Sequence, residues 1–311
     1  MKASATKATH NMAVLAEAKP KLNSVVIRRR FVRRAQPAPG DHSDRSLPSR
    51  SLRPPSTRIV SPRGAALRFY LTALFEAQVS VAKLGARPLN KRLLRGTHNE
   101  IGWVDLLASP ARHSRGTNTY MDVAAKKRRQ IHETLSRLNQ EELVALPNSN
   151  AGSNKYEGFL LMDEGGVREQ GENELYQIPK TAEKDTFQLP VSIFTQGWVH
   201  YLEDTELAFL LMIASLGAIS EEVKIPGETR LRHYGVGRDA YEAHIMLNRL
   251  GLLEVRPDPS RYEDGKIQGY SGHSDERLHS FKLLPAGFES PANEAVMTAI
   301  AEALDDIGDN A

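Results

Sequence analysis

Apolar residues recur at helical spacing in several stretches of the chain. Ala66, Phe69, Tyr70, Ala73, Leu74 and Ala77 share one face and predict an amphipathic helix over 65–79. Ala124, Ile131, Leu135 and Leu138 form a comparable stripe over 122–138. Asp204 or Thr205 is placed to cap a helix that turns Leu207, Leu210, Leu211 and Ala214 inward. Further on, a short helix over 228–234 meets a glycine turn, Gly235 to Gly237, and a second helix begins at Arg238. There Ala240, Ala243, Leu247 and Leu250 make the buried face, which leaves Arg238, Tyr241, Glu242, Ile245, Asn248 and Arg249 pointing outward. A short helix around Trp103, over 101–108, and an acidic helix over 294–307 complete the helical elements.

Branched and alternating runs predict short strands. One pair, 142–146 and 156–162, brackets the polar loop 147–155. Others are expected at 187–191, 223–226, 252–255 and 281–284. The long stretch 257–278 before the last of these has no apolar core and is expected to move freely. Leu135-x-Arg137-Leu138-Asn139 returns 112 residues later as Leu247-x-Arg249-Leu250-Gly251. Each copy should end its helix at a residue that tolerates positive φ and continue into a hairpin. Either an internal duplication or a chance likeness of two amphipathic helices accounts for so short a repeat. The expected class is mainly α with small β-hairpins, an α+β fold.

Composition adds boundaries. The 311 residues suffice for two modest domains with tails. Residues 1–63 are rich in Ser, Pro and Arg, poor in aromatics, and expected to be a disordered basic tail. The first domain follows at 64–163, a charged linker at 164–185, the second domain at 186–288, and an acidic helix or tail at 289–311. Residues 1–63 carry 14 Lys/Arg against 3 Asp/Glu, whereas residues 164–311 carry 13 against 26. A polyanion is therefore expected to meet the front of the chain only. Arg28, Arg29, Arg30, Arg33 and Arg34 are the densest charge of the tail. They suit an arm on DNA phosphates, an organelle transit peptide, or a solvated tail.

The usual catalytic signatures are missing. The absence of cysteine removes disulfides, thiolate catalysis and cysteine-bound zinc, and fits a reducing compartment. The longest apolar run, 207–218, falls short of the roughly 18 residues that a membrane span needs, so a soluble, cytoplasmic protein without a membrane partner is expected. The histidines show no metal spacing; His233 and His244 read as surface or packing residues. Gly235-Val236-Gly237 is too short for a dinucleotide fingerprint and follows a helix, and no phosphate loop or nucleophile elbow occurs. The expectation is a non-enzyme with no cofactor, metal or catalytic residue.

What stands out is Lys126-Lys127-Arg128-Arg129. On a helix, Lys126, Arg129, Gln130, Glu133 and Arg137 can share the face opposite Ile131 and Leu135, where cations could meet phosphates or guanine edges and Gln130 could read adenine. Lys127 belongs to the same cluster, and Lys155 adds a charge on the loop 148–155. The bland reading is a solvated helix face. On the later helix, Arg238 and Arg249 favour DNA while Asp239 and Glu242 oppose it, and an exposed Tyr241 suits either DNA or a protein partner.

Two segments, GWVHYLEDTELAFLLMIAS and RLRHYGVGRDAYEAHIMLNRLGLLEV, resemble the winged helix-turn-helix proteins of bacterial regulators and plasmid replication initiators. The resemblance implies tandem winged helices on double-stranded DNA, one binding DNA and the other forming a homodimer or docking a protein partner. It also implies a nucleoid-associated role in transcription or replication. High Arg, Ala and Leu usage fits a GC-rich bacterial source and argues against the transit-peptide reading. The acidic second domain departs from an initiator in which both domains bind DNA. An alternative is an interaction scaffold whose basic tail holds nucleic acid nonspecifically.

Overall fold

The computed structural model describes residues 2–17, 22–42, 46–61, 64–81, 83–97, 99–108, 123–167, 173–180, 183–259, 262 and 278–308. The stretch expected to be disordered opens with helix α1 (Lys2–Glu17) and strand β1 (Ser24–Arg28). Val25 and Ile27 alternate into the core, and β1 pairs antiparallel with β4 (Thr186–Pro190), from Ser24↔Pro190 to Arg28↔Thr186. The disordered-tail expectation is therefore corrected. The apolar residues of this segment are sparse, but Val25, Ile27, Phe31, Val32 and Ile59 are all buried, and the strand that completes them lies far along the chain. The other edge of β1 is closed by a side chain: Gln78 Oε1 accepts from Val26 N at 3.0 Å, and Gln78 Nε2 donates to Val26 O at 2.7 Å. A closed edge cannot recruit another strand.

A single turn, α2 (Pro55–Arg58), follows with proline at its start, where the missing N–H costs nothing. Helix α3 (Ala66–Ser80) is the hub. Leu67, Phe69, Tyr70, Leu71, Leu74 and Phe75 are all fully buried, as expected of a helix that is apolar on most of its circumference. Phe75 stacks on Phe194 at 4.7 Å between centroids, and Phe69 packs against Trp103 and Phe159. The helix expected over 101–108 is only a 3-10 turn, Trp103–Asp105. Trp103 N and Val104 N donate to Leu93 O and Leu94 O, so the backbone bonds sideways rather than propagating a helix.

Helix α4 (Val123–Gln140) buries Ile131, Thr134, Leu135 and Leu138. Ala124, expected in that stripe, is exposed, and the fully buried positions of the helix begin only at Ile131. The helix runs through Asn139, and the residue with positive φ after it is Glu142, at 53°. A short ladder follows, with β2 (Val144–Ala145) against β3 (Leu160–Leu161).

Residues 164–185 do not behave as a free linker where described: Glu164, Tyr176 and Ile178 are buried and Met162 bridges Leu175. One hydrophobic cluster runs through both predicted domains, from Phe69 and Leu135 to Leu207 and Leu247. After β4 come the short helices α5 (Ser192–Thr195) and α6 (Trp198–Tyr201), with Trp198 Nε1 donating to Phe288 O at 3.1 Å.

Helix α7 (Asp204–Ser215) is capped by Glu203, whose N–H donates to Glu206 Oε2 at 2.7 Å; Asp204 instead reaches Arg68 at 3.3 Å. Then come β5 (Val223–Lys224), α8 (Gly227–Tyr234), Gly235 at φ 65°, and α9 (Arg238–Arg249). Gly251 at φ 69° ends α9, as glycine readily does. Strands β6 (Leu253–Arg256) and β7 (Ser280–Leu283) join β5 in an antiparallel sheet of order β5–β7–β6. The stretch between β6 and β7, expected to be mobile, lies largely outside the described residues. Helix α10 (Ala292–Gly308) closes the chain. The fold is thus mixed, with helices predominating over small antiparallel sheets.

Candidate nucleic-acid interface

The first two turns of α4 bring four cations together. Arg128 and Arg129 are exposed, and Lys126 and Lys127 are half-buried. The geometry follows from the sequence: at 3.6 residues per turn, Ile131, Leu135 and Leu138 hold one face in the core, and the residues ahead of Ile131 are exposed or half-buried. Arg129 Nε donates to Glu133 Oε1 at 2.9 Å, both side chains about two-thirds exposed, a pair that solvent weakens. Arg128 makes no salt bridge with a described residue.

Lys127 turns from this face toward a cavity of about 700 Å³ beside the Trp103–Asp105 turn, also lined by Lys7, Arg95, Glu100, Asp105 and Arg128. Burial holds the Lys127 ammonium below its ordinary pKa; Lys7 adds repulsion and Asp105 offsets part of it. Lys7 Nζ lies 3.1 Å from Asp105 Oδ1. Gln130 and Arg137 line a second cavity, of about 570 Å³, with Arg50 and Glu133. Arg137 is held down, donating to Arg58 O at 3.1 Å and pairing with Glu141 at 2.8 Å. It is thus less available to a ligand than its helix position suggests. Lys155, on the loop 148–155, lies 5.4 Å from the centre of the Tyr156 ring. Tyr156 in turn stacks on His132 and shares a 2.7 Å hydrogen bond with Ser136, which ties the loop to α4.

Of the arginines expected to form a free phosphate-binding arm, only Arg33 has an exposed side chain with no bond among the described residues. Arg28 is buried, its guanidinium bonded to Glu164, Glu183 and Gln177 O. Arg29 Nε donates to Ser215 O at 2.8 Å, and Arg30 pairs with Asp163 at 2.6 Å. Arg34 N donates to His233 O, and its Nε is buried. The arm reading is corrected for Arg28, Arg29 and Arg30, whose guanidinium groups are each held by an acid or carbonyl distant in sequence, and for Arg34, whose side chain is half-buried.

On α9, Arg238 pairs with Glu242 at 2.7 Å, while Arg249 is exposed. Tyr241 does not point outward. Its ring lies under the Arg230 guanidinium at 4.7 Å and meets Phe209 and Phe281 edge-on. The expected buried stripe of α9 holds at Ala243, Leu247 and Leu250, while Ala240 is only half-buried and His244 joins the buried face. The turn before α9 is covered by the chain itself. A Cβ on Gly235 would lie 2.8 Å from Arg53 Cγ, one on Gly237 would lie 2.9 Å from Leu47 Cδ1, and Thr57 Oγ1 donates to Tyr234 O at 3.0 Å. Among the described residues, no group of three metal-ligating side chains converges, and no helix is long and apolar enough to cross a membrane. No protein-family model, curated protein or solved structure matches this chain.

Proposed function

We propose that the protein binds double-stranded DNA as a non-enzymatic transcriptional regulator or replication initiator, acting in the cytoplasm at the nucleoid, with α4 entering the major groove. The observation that carries this reading is the run Lys126–Arg129 on the first two turns of α4, where Arg128 and Arg129 are exposed and Lys126 and Lys127 half-buried. A helix of this kind fits the major groove, and its cations can release counterions from phosphates. The elements from α7 to β7, with sheet order β5–β7–β6, follow the order of a winged helix, and we read them as one; α4 with the β2–β3 hairpin is an abbreviated counterpart. A protein-interaction scaffold is the second reading. It is favoured by the packing of Leu47, Arg53 and Thr57 over the α8–α9 turn, which gives that helix-turn-helix a protein partner within its own chain.

Fluorescence anisotropy with labelled duplexes tests the first reading. The triple variant Lys126→Glu, Lys127→Glu, Arg129→Glu should lose DNA binding while its circular dichroism and melting stay close to wild type. Retained binding with an unchanged salt dependence would overturn it.

A further inference from the structure

The cavity beside the first turns of α4 has an unbalanced charge. Four cations line it, Lys7, Arg95, Lys127 and Arg128, against Glu100 and Asp105. One acid is already engaged, since Asp105 takes Lys7 at 3.1 Å and accepts from Gly102 N at 3.1 Å. Arg95 and Arg128 pair with no described carboxylate. Lys127 is half-buried, and Asp105, the acid that acts on its ammonium, is shared with Lys7. About 700 Å³ is the size of a small-molecule site rather than of one bound inorganic ion.

We propose that this cavity binds a phosphorylated small molecule of nucleotide size, whose phosphate is held by Lys127, Arg128 and Arg95. Guanidinium groups suit phosphate because their paired N–H donors match its oxygens. Glu100, on the same lining, can accept from a hydroxyl or amine of the ligand, which bare phosphate lacks. Because Lys127 and Arg128 also belong to the basic run on α4, a bound anion competes with DNA for them. That competition, unlike the site itself, rests on the reading of α4 as the DNA-contacting helix.

Intrinsic fluorescence can report occupancy, since Trp103 heads the turn whose Val104 and Asp105 line the cavity. The full-length protein is titrated with inorganic phosphate, adenosine and guanosine mono- and triphosphates, and a short duplex. Calorimetry is run alongside. At least one nucleotide should bind more tightly than inorganic phosphate. Arg95→Glu should weaken it at least about tenfold, the loss of a charged hydrogen bond, and Arg129→Glu should leave it unchanged. Nucleotide should also displace labelled duplex from wild type but not from Arg95→Glu. Binding of duplex alone, with no response to phosphate or nucleotide, would overturn the proposal. So would nucleotide binding that is indifferent to Arg95→Glu in a protein whose melting is unchanged. Nucleotide binding that depends on Arg95, in a protein that binds no duplex, would uphold the site and remove only the competition with DNA.

Discussion

Arg28 Nη1 lies 2.5 Å from Glu164 Oε2, and the Arg28 backbone N–H donates to the other oxygen of the same carboxylate at 3.1 Å. The side chain of Glu164 has no exposure, and that of Arg28 is 8% exposed. Burial pushes the Glu164 carboxyl upward, and the Arg28 guanidinium and N–H pull it back. Glu183 takes the remaining guanidinium edge, so a strand near the N-terminus is clasped to the 164–185 segment as well as to β4.

Removing one member of a buried pair strands the other charge. Arg28→Ala should therefore cost about 3–5 kcal/mol, read from urea unfolding, and Arg28→Met combined with Glu164→Leu should cost less than either single change. Deletion of residues 1–63 should give an unfolded or aggregating protein, because it removes β1 and leaves Phe187 and Leu189 uncovered. A deletion that melts like the full chain would overturn the clasp. For the same reason, a truncation cannot be used to separate tail-borne from helix-borne DNA binding; point charges must be changed instead.

Gly235→Ala should lower stability by about 1–3 kcal/mol, since the residue sits at positive φ and its new methyl would press on Arg53 and Thr57. Hydrogen exchange should show the loosening at Thr57 and the backbone near it, with α3 unaffected. A uniform loss of protection would mean that the 46–58 segment is not a separately yielding layer.

The local elements were legible in the sequence, and their long-range partners were not. Phe69, Tyr70 and Leu74 on α3, and Leu247 with Gly251 on α9, carry their periodicity and stop signal within one window. Val25 and Ile27 carry only two apolar positions, and their meaning depends on Phe187 and Leu189, some 160 residues away. Charge runs mislead in a similar way. Arg28 and Arg129 look alike in sequence, but one meets a buried glutamate and the other only an exposed one. The basic run at Lys126–Arg129 could be read from the chain alone, whereas its neighbours Lys7 and Arg95 are brought to it only by the fold.

The pH dependence of stability should contain two opposed contributions from the α6–α7 corner. His200 is buried, with no hydrogen-bond partner at either ring nitrogen among the described residues, and burial drives its pKa down to about 3. The unfolded chain therefore takes up this proton more readily, and stability falls on acidification below the ordinary histidine value. Asp204 goes the other way. Burial lifts its pKa to about 6, against the pull of Arg68, so the folded state holds the proton more tightly and stability grows on acidification through that value. Urea midpoints measured between about pH 7 and about pH 4.5 separate the two. His200→Gln should become relatively more stable as pH falls, and Asp204→Asn should lose stability more steeply than wild type. Parallel curves for all three proteins would sink this account.

Two exposed arginines separate the helices that look alike in sequence. Arg129 on α4 belongs to a basic run, whereas Arg249 on α9 shares its helix with Asp239, Glu242 and the paired Arg238. If α4 enters the groove, Arg129→Glu should weaken duplex binding and reduce the log–log salt slope by about 0.9 for each phosphate that is no longer neutralised. Arg249→Glu should change neither. Tyr241→Ala should lower the melting temperature, because it empties the space between Phe209, Phe281 and the Arg230 guanidinium, with any fall in DNA affinity following the loss of fold. A selective loss of DNA binding in Arg249→Glu, with Arg129→Glu unaffected, would move the groove-binding role from α4 to α9.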